Sequence, residues 1–150
     1  MGKKRKKREK GKYRIYPLRF SQFKEFDPEY IKKLASIGIT NTDQILDAGR
    51  TENDREELSK KAVVPLEVIL KMVKFADITR IGAISKVNSR VFFEAGADTV
   101  ENFSKWDPEE LLKKASEVIE KRGIMKKPPR LGEVSFYIND AKKLPRIIEY

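Results

Sequence analysis

The residues with the clearest chemical promise lie in "ITRIGAISKVNSR", residues 78–90. An apolar run ends there, a tight turn follows and a second amphipathic segment begins, with Arg80, Lys86 and Arg90 around the bend. Two helices joined by such a bend suit a phosphodiester. Glycine at the bend lets the backbone approach closely, and the first N–H groups of the next helix lack intrahelical partners, so they can donate to a phosphate oxygen. The full pattern for such a clamp is glycine-hydrophobe-glycine; here Ala83-Ile84-Ser85 stands in its place, after Ile81 and Gly82. Alanine permits close approach but disfavours positive φ. Ser85 leaves two roles open. Its hydroxyl can cap the helix and take an N–H that phosphate would use, or it can bond phosphate itself. The expected phosphate contacts at the bend are Arg80, Gly82, Ala83, Ile84, Ser85, Lys86 and Arg90.

The net charge is +10 over 150 residues, and it is uneven. Residues 1–12, "MGKKRKKREKGK", hold eight Lys or Arg against one Glu, which is +7 and leaves +3 for everything after Lys12. A run of like charge with no apolar stretch to bury is expected to be a disordered basic tail. Lys3, Lys4, Arg5, Lys6, Lys7 and Arg8 could each neutralise a phosphate and release counterions. The alternative use is a solubilising extension. A second basic stretch, "KRGIMKKPPR" (121–130), adds Lys126, Lys127 and Arg130 as candidate contacts.

The elements that position these groups read as helical throughout. Asp27-Pro28-Glu29 and Asp107-Pro108-Glu109 each supply an N-cap carboxylate, a proline for the first helical position and acid in the first turn. Thr51 can cap "ENDREELSKKA", and Pro65 opens "PLEVILKMVKFA", whose Leu66, Ile69, Leu70 and Val73 keep helical spacing. Gly38, Gly96 and Gly123 follow apolar-periodic segments as C-terminal stops. Val134, Ile138, Ala141 and Leu144 form one stripe on a last, closing helix, and only "YRIYPL" hints at extended chain.

The helices also repeat. "LASIGITNTDQI" (34–45) lies over "FFEAGADTVENF" (92–103) at an offset of 58, and "REELSKKA" (55–62) over "PEELLKKA" (108–115) at 53, reconciled by one loop of different length. The expectation is an all-α, duplicated domain over 13–150, with copy one at about 20–76, copy two at about 77–122 and the closing helix at about 133–145. At the offset of 58 the first copy carries Glu25-Phe26-Asp27 where the second has Ala83-Ile84-Ser85. Two acids there rule out a phosphate clamp, so the first copy reads as the structural partner in a pseudo-twofold pair.

"ADITRIGAISKVNSRVFFEAGADTVENF", the upstream "GITNTDQILDAGRTENDREELSKKAVVPLEVILKMV" and the terminal "AKKLPRIIEY" together resemble the family known as domain of unknown function 4332. The resemblance runs from about Tyr13 to Tyr150 and implies a helix-hairpin-helix-like fold. It implies no activity, because the family is uncharacterised.

Catalytic chemistry has little to stand on. Without histidine there is no Ser-His arrangement and no imidazole metal ligand, and without cysteine no disulfide framework or thiolate site. No Gly-rich nucleotide cradle appears. Glu56-Glu57 and Glu109-Glu110 are neighbours on helices and point apart. Asp77 reads as a local partner of Arg80, and Trp106 as a core plug with base stacking as its alternative role. No apolar stretch approaches the roughly 18 residues of a membrane span, and no apolar core of a signal peptide follows the basic start. The expectation is a cytoplasmic, non-enzymatic protein with no cofactor, no metal and no membrane partner. It binds nucleic acid without reading sequence, DNA ahead of RNA. The alternative is a protein-interaction or scaffold module that keeps the fold, with a ribonucleoprotein as partner.

Overall fold

Most of the helices begin where the sequence supplies an acceptor for their orphan N–H groups; those opening at Leu66 and Leu131 have no side-chain cap. In the computed structural model, which describes residues 11–125 and 127–150, Asp27, Thr51 and Asp107 accept from Glu29, Asp54 and Glu110 backbone N–H groups at 2.9, 3.0 and 3.1 Å. Asn41 and Thr99, also 58 apart, cap in the same manner through Gln44 and Asn102 N–H. The resulting elements are α1 (Pro28–Ala35), α2 (Thr42–Ala48), α3 (Glu52–Ala62), α4 (Leu66–Ile78), α5 (Lys86–Ala95), α6 (Val100–Lys105), α7 (Pro108–Arg122) and α8 (Leu131–Lys143). A 3₁₀ turn at Phe20–Gln22 precedes them. The described residues contain no strand; "YRIYPL" leads only into an isolated bridge between Arg19 and Asn41.

The three glycine stops have φ of +88° (Gly38), +113° (Gly96) and +61° (Gly123). Gly96 is doubly constrained, because an added Cβ would also lie 3.3 Å from the Trp106 ring. That ring is half-buried against the apolar core and donates its indole N–H to Asn102 at 2.9 Å, so it packs as expected.

Two apolar cores divide the chain between Ala76 and Ile78. α2 and α3 pack on α4 around the first; α6 and α7 pack on α8 around the second, where α5 also lies against α7. On α4 the stripe is wider than Leu66, Ile69, Leu70 and Val73. Met72, Phe75 and Ala76 are buried with Ile69 and Val73, whereas Leu66, in the first turn, stays exposed. On α8, Val134, Tyr137, Ile138 and Ala141 are buried in the second core. That helix is therefore integral to the second half of the molecule, not an addition to it.

The segment after α8 returns to the first half. Ile148 enters the first core, Glu149 donates its N–H to Arg50 O at 2.8 Å, and the Arg55 guanidinium donates to Glu149 O at 2.8 Å. Tyr150 donates its hydroxyl to Asp77 Oδ2 at 3.0 Å. This strap ties the last residues to both halves of the fold.

Candidate nucleic-acid interface

α4 ends at Ile78 and α5 begins at Lys86, so the bend falls where the sequence places it. Its backbone closes through Ile84 N–H donating to Ile81 O at 3.2 Å, with both side chains buried. Ala83 sits at φ +57°, in the left-handed region that glycine would occupy without strain. Ser85 resolves its two roles in favour of the cap: its Oγ accepts from Asn88 N–H at 3.0 Å.

Arg80, expected on phosphate, is structural instead. Its side chain is 1% exposed. Nε and Nη2 donate to Asp77 Oδ1 at 3.0 and 2.6 Å, while Nη1 donates to the carbonyls of Gly11 and Pro145 at 2.9 and 3.0 Å. Asp77 is thus the partner of Arg80 and, through Oδ2, also accepts from Val100 N–H and Tyr150. A buried guanidinium needs this full set of acceptors, and it is turned inward to meet them.

Two further donors at the bend, the Gly82 amide and the Arg90 guanidinium, are engaged as well. Gly82 N–H donates to Asp140 Oδ2 of α8 at 2.6 Å, and a Cβ on Gly82 would lie 3.0 Å from that oxygen. A carboxylate therefore holds one of the bend amides expected to meet phosphate. Ile84 is fully buried and its carbonyl accepts from Arg14 at 2.5 Å; burial holds the Arg14 guanidinium below the usual arginine value. Arg90 donates Nε to both carboxylate oxygens of Glu25, at 2.9 and 2.7 Å, so an acid from the first bend neutralises a cation of the second.

Lys86 stays exposed at the first position of α5, and Lys143 is exposed on the rim of a cleft that Gly82, Ala83 and Asp140 also line. Lys127 and Arg130 are exposed in the loop before α8 and do not line that cleft. Lys3, Lys4, Arg5, Lys6, Lys7, Arg8 and Lys126 lie outside the described residues. Nothing in the sequence pointed to Asp140, Arg14 or Lys143 at this corner, because each reaches it from another part of the chain. The one available signal was position: Asp140 follows the α8 stripe residue Ile138 by two and so falls off the apolar face.

The class this architecture defines is an all-helical domain with two apolar cores and two bends of unlike charge. The chain belongs to the family described as Domain of unknown function (DUF4332), whose model matches residues 24–144 and so spans both bends. No curated protein and no solved structure matches the chain. No helix among the described residues is long and apolar enough to cross a membrane.

Proposed function

We propose that this is a non-enzymatic, sequence-tolerant nucleic-acid-binding protein of the cytoplasm, of helix-hairpin-helix-like build, with DNA as its first partner. Phosphates are held by the basic run and by lysines at the second bend, and not by the bend amides. The observation that carries this reading is the bond from buried Arg80 to Gly11 O at 2.9 Å. It fixes the root of the basic run beside Gly82 and Ala83, so that the charge of Lys3 to Lys10 joins the chain where Lys86 and Lys143 are exposed. Clustered cations on one corner raise the local potential seen by a polyanion, and their attraction to phosphate does not depend on base sequence.

A protein-interaction scaffold with a ribonucleoprotein partner is the second reading, and Asp140 on the Gly82 amide together with Glu25 on Arg90 favours it. The two separate in one experiment. Residues 2–10 contain seven cations, and removing them leaves Gly11 in place. Their deletion is expected to weaken binding to DNA and to flatten its salt dependence by roughly 0.9 in the log–log slope for each phosphate no longer neutralised. Residual binding that still falls with salt assigns the remainder to the folded corner. Equal affinity and equal slope after deletion would show that the basic run is only a solubilising extension, and absence of DNA binding by the full chain would overturn the reading and leave the scaffold.

A further inference from the structure

The cleft beside the second bend has a volume of about 790 Å³, within the range of roughly 300–1,000 Å³ typical of small-ligand sites. Ile81, Leu144 and Pro145 line it as an apolar wall, with Asp140, Lys143 and Arg14 as charged neighbours. Tyr16 also lines it and is 72% exposed, an aromatic side chain left in solvent although the fold buries Phe20, Phe23 and Phe26 a few residues further on. A phosphate would be repelled by Asp140 and drawn to Lys143. A base has the opposite preference: a flat apolar face for stacking and, on most bases, an amino group for a carboxylate.

Resting on the reading above, we propose that the ligand is single-stranded and that one unstacked base enters this cleft. Tyr16 stacks on its face, Lys143 holds a flanking phosphate, and Asp140 accepts from its exocyclic amino group while keeping its bond to Gly82. A paired base cannot enter, since its amino group and both its faces are occupied in the duplex. Thymine, which has carbonyl oxygens in place of an amino group, meets the carboxylate unfavourably, so the site prefers cytosine among the pyrimidines.

The test uses the full chain with oligodeoxycytidylate, oligodeoxythymidylate and a mixed-sequence duplex, compared at one salt concentration. The cytidylate is expected to bind at least about threefold more tightly than the thymidylate. Tyr16→Ala is expected to weaken both single strands about fivefold or more and to leave the duplex unchanged. Asp140→Asn, which offers an amide N–H₂ to a carbonyl, is expected to erase or reverse the preference for cytosine. Tyr16 is exposed, so its replacement leaves the fold intact, and a thermal melt of each variant verifies this. Single strands that bind no better than duplex and ignore Tyr16→Ala would overturn the inference while the polyanion reading stands. Absence of binding to all three probes would remove both.

Discussion

The two bends close with the same kind of hydrogen bond but not on the same backbone: Ala83 is left-handed at φ +57°, whereas Glu25, its counterpart at the offset of 58, has no positive φ. Phe26 N–H donates to Phe23 O as Ile84 N–H donates to Ile81 O, and the central hydrophobe is buried in each. Around Phe26 the neighbours are rings: Phe20, Phe23 and Phe75 stand edge to face with it at 5.3, 6.4 and 5.4 Å. The Ile84 side chain also lies in an apolar core, but polar groups meet the backbone of its bend: Arg14 on the Ile84 carbonyl and Asp140 on the Gly82 N–H. Phe75 and Asp140 stand nine residues from the starts of α4 and α8. Phe75 packs against Phe26 at the first bend, and Asp140 accepts from the Gly82 N–H at the second. A buried hydrophobe and one hydrogen bond recur at both bends, while the backbone turn and the charge around it differ.

The largest test asks whether the hydrophobe does hold each bend. Phe26→Ala is expected to cost about 3–5 kcal/mol and Ile84→Ala about 2–5 kcal/mol in urea denaturation. A loss below about 1 kcal/mol at Ile84 would mean that the polar partners hold the second bend alone. The charge around the bends is tested next. Lys86→Glu is expected to reduce affinity for DNA by more than about 1 kcal/mol, because it removes a phosphate partner and adds like charge. Pro28→Glu, the matching change beside Glu25 and Asp27, is expected to leave affinity within about twofold; equal losses at the two sites would erase the distinction between the bends.

A smaller effect concerns the backbone. Glycine in place of Ala83 would ordinarily lower stability by widening the unfolded ensemble, by about 0.5–1 kcal/mol. At φ +57° the relief of left-handed strain, about 1–2 kcal/mol, outweighs that loss. Ala83→Gly is therefore expected to be neutral to stabilising by up to about 1 kcal/mol, and a clear destabilisation would show that Ala83 is unstrained. The smallest effect lies under the second bend. Burial, then the charge of Asp77, pushes the Tyr150 phenol above its ordinary value near 10. The folded state keeps this proton longer than the unfolded state, so its contribution is complete below about pH 10 and is lost as pH rises. Tyr150→Phe is expected to flatten the alkaline fall in melting temperature; an unchanged profile would place the titration elsewhere.

Sequence alone determined the caps at Asp27, Thr51 and Asp107, the glycine stops and the Asp77–Arg80 pair, because each is closed within a few residues: a cap within three, Arg80 three from Asp77. It also showed that the first bend is acidic. Tertiary structure decided what the second bend can do. Asp140 reaches Gly82 across 58 residues, Glu25 reaches Arg90 across 65 and Arg14 reaches Ile84 across 70. A helix fixes which of its residues share a face but not which residues of another helix that face will meet. That depends on how the apolar stripes of α4, α5 and α8 pack against their neighbours, and no local window of the chain contains it.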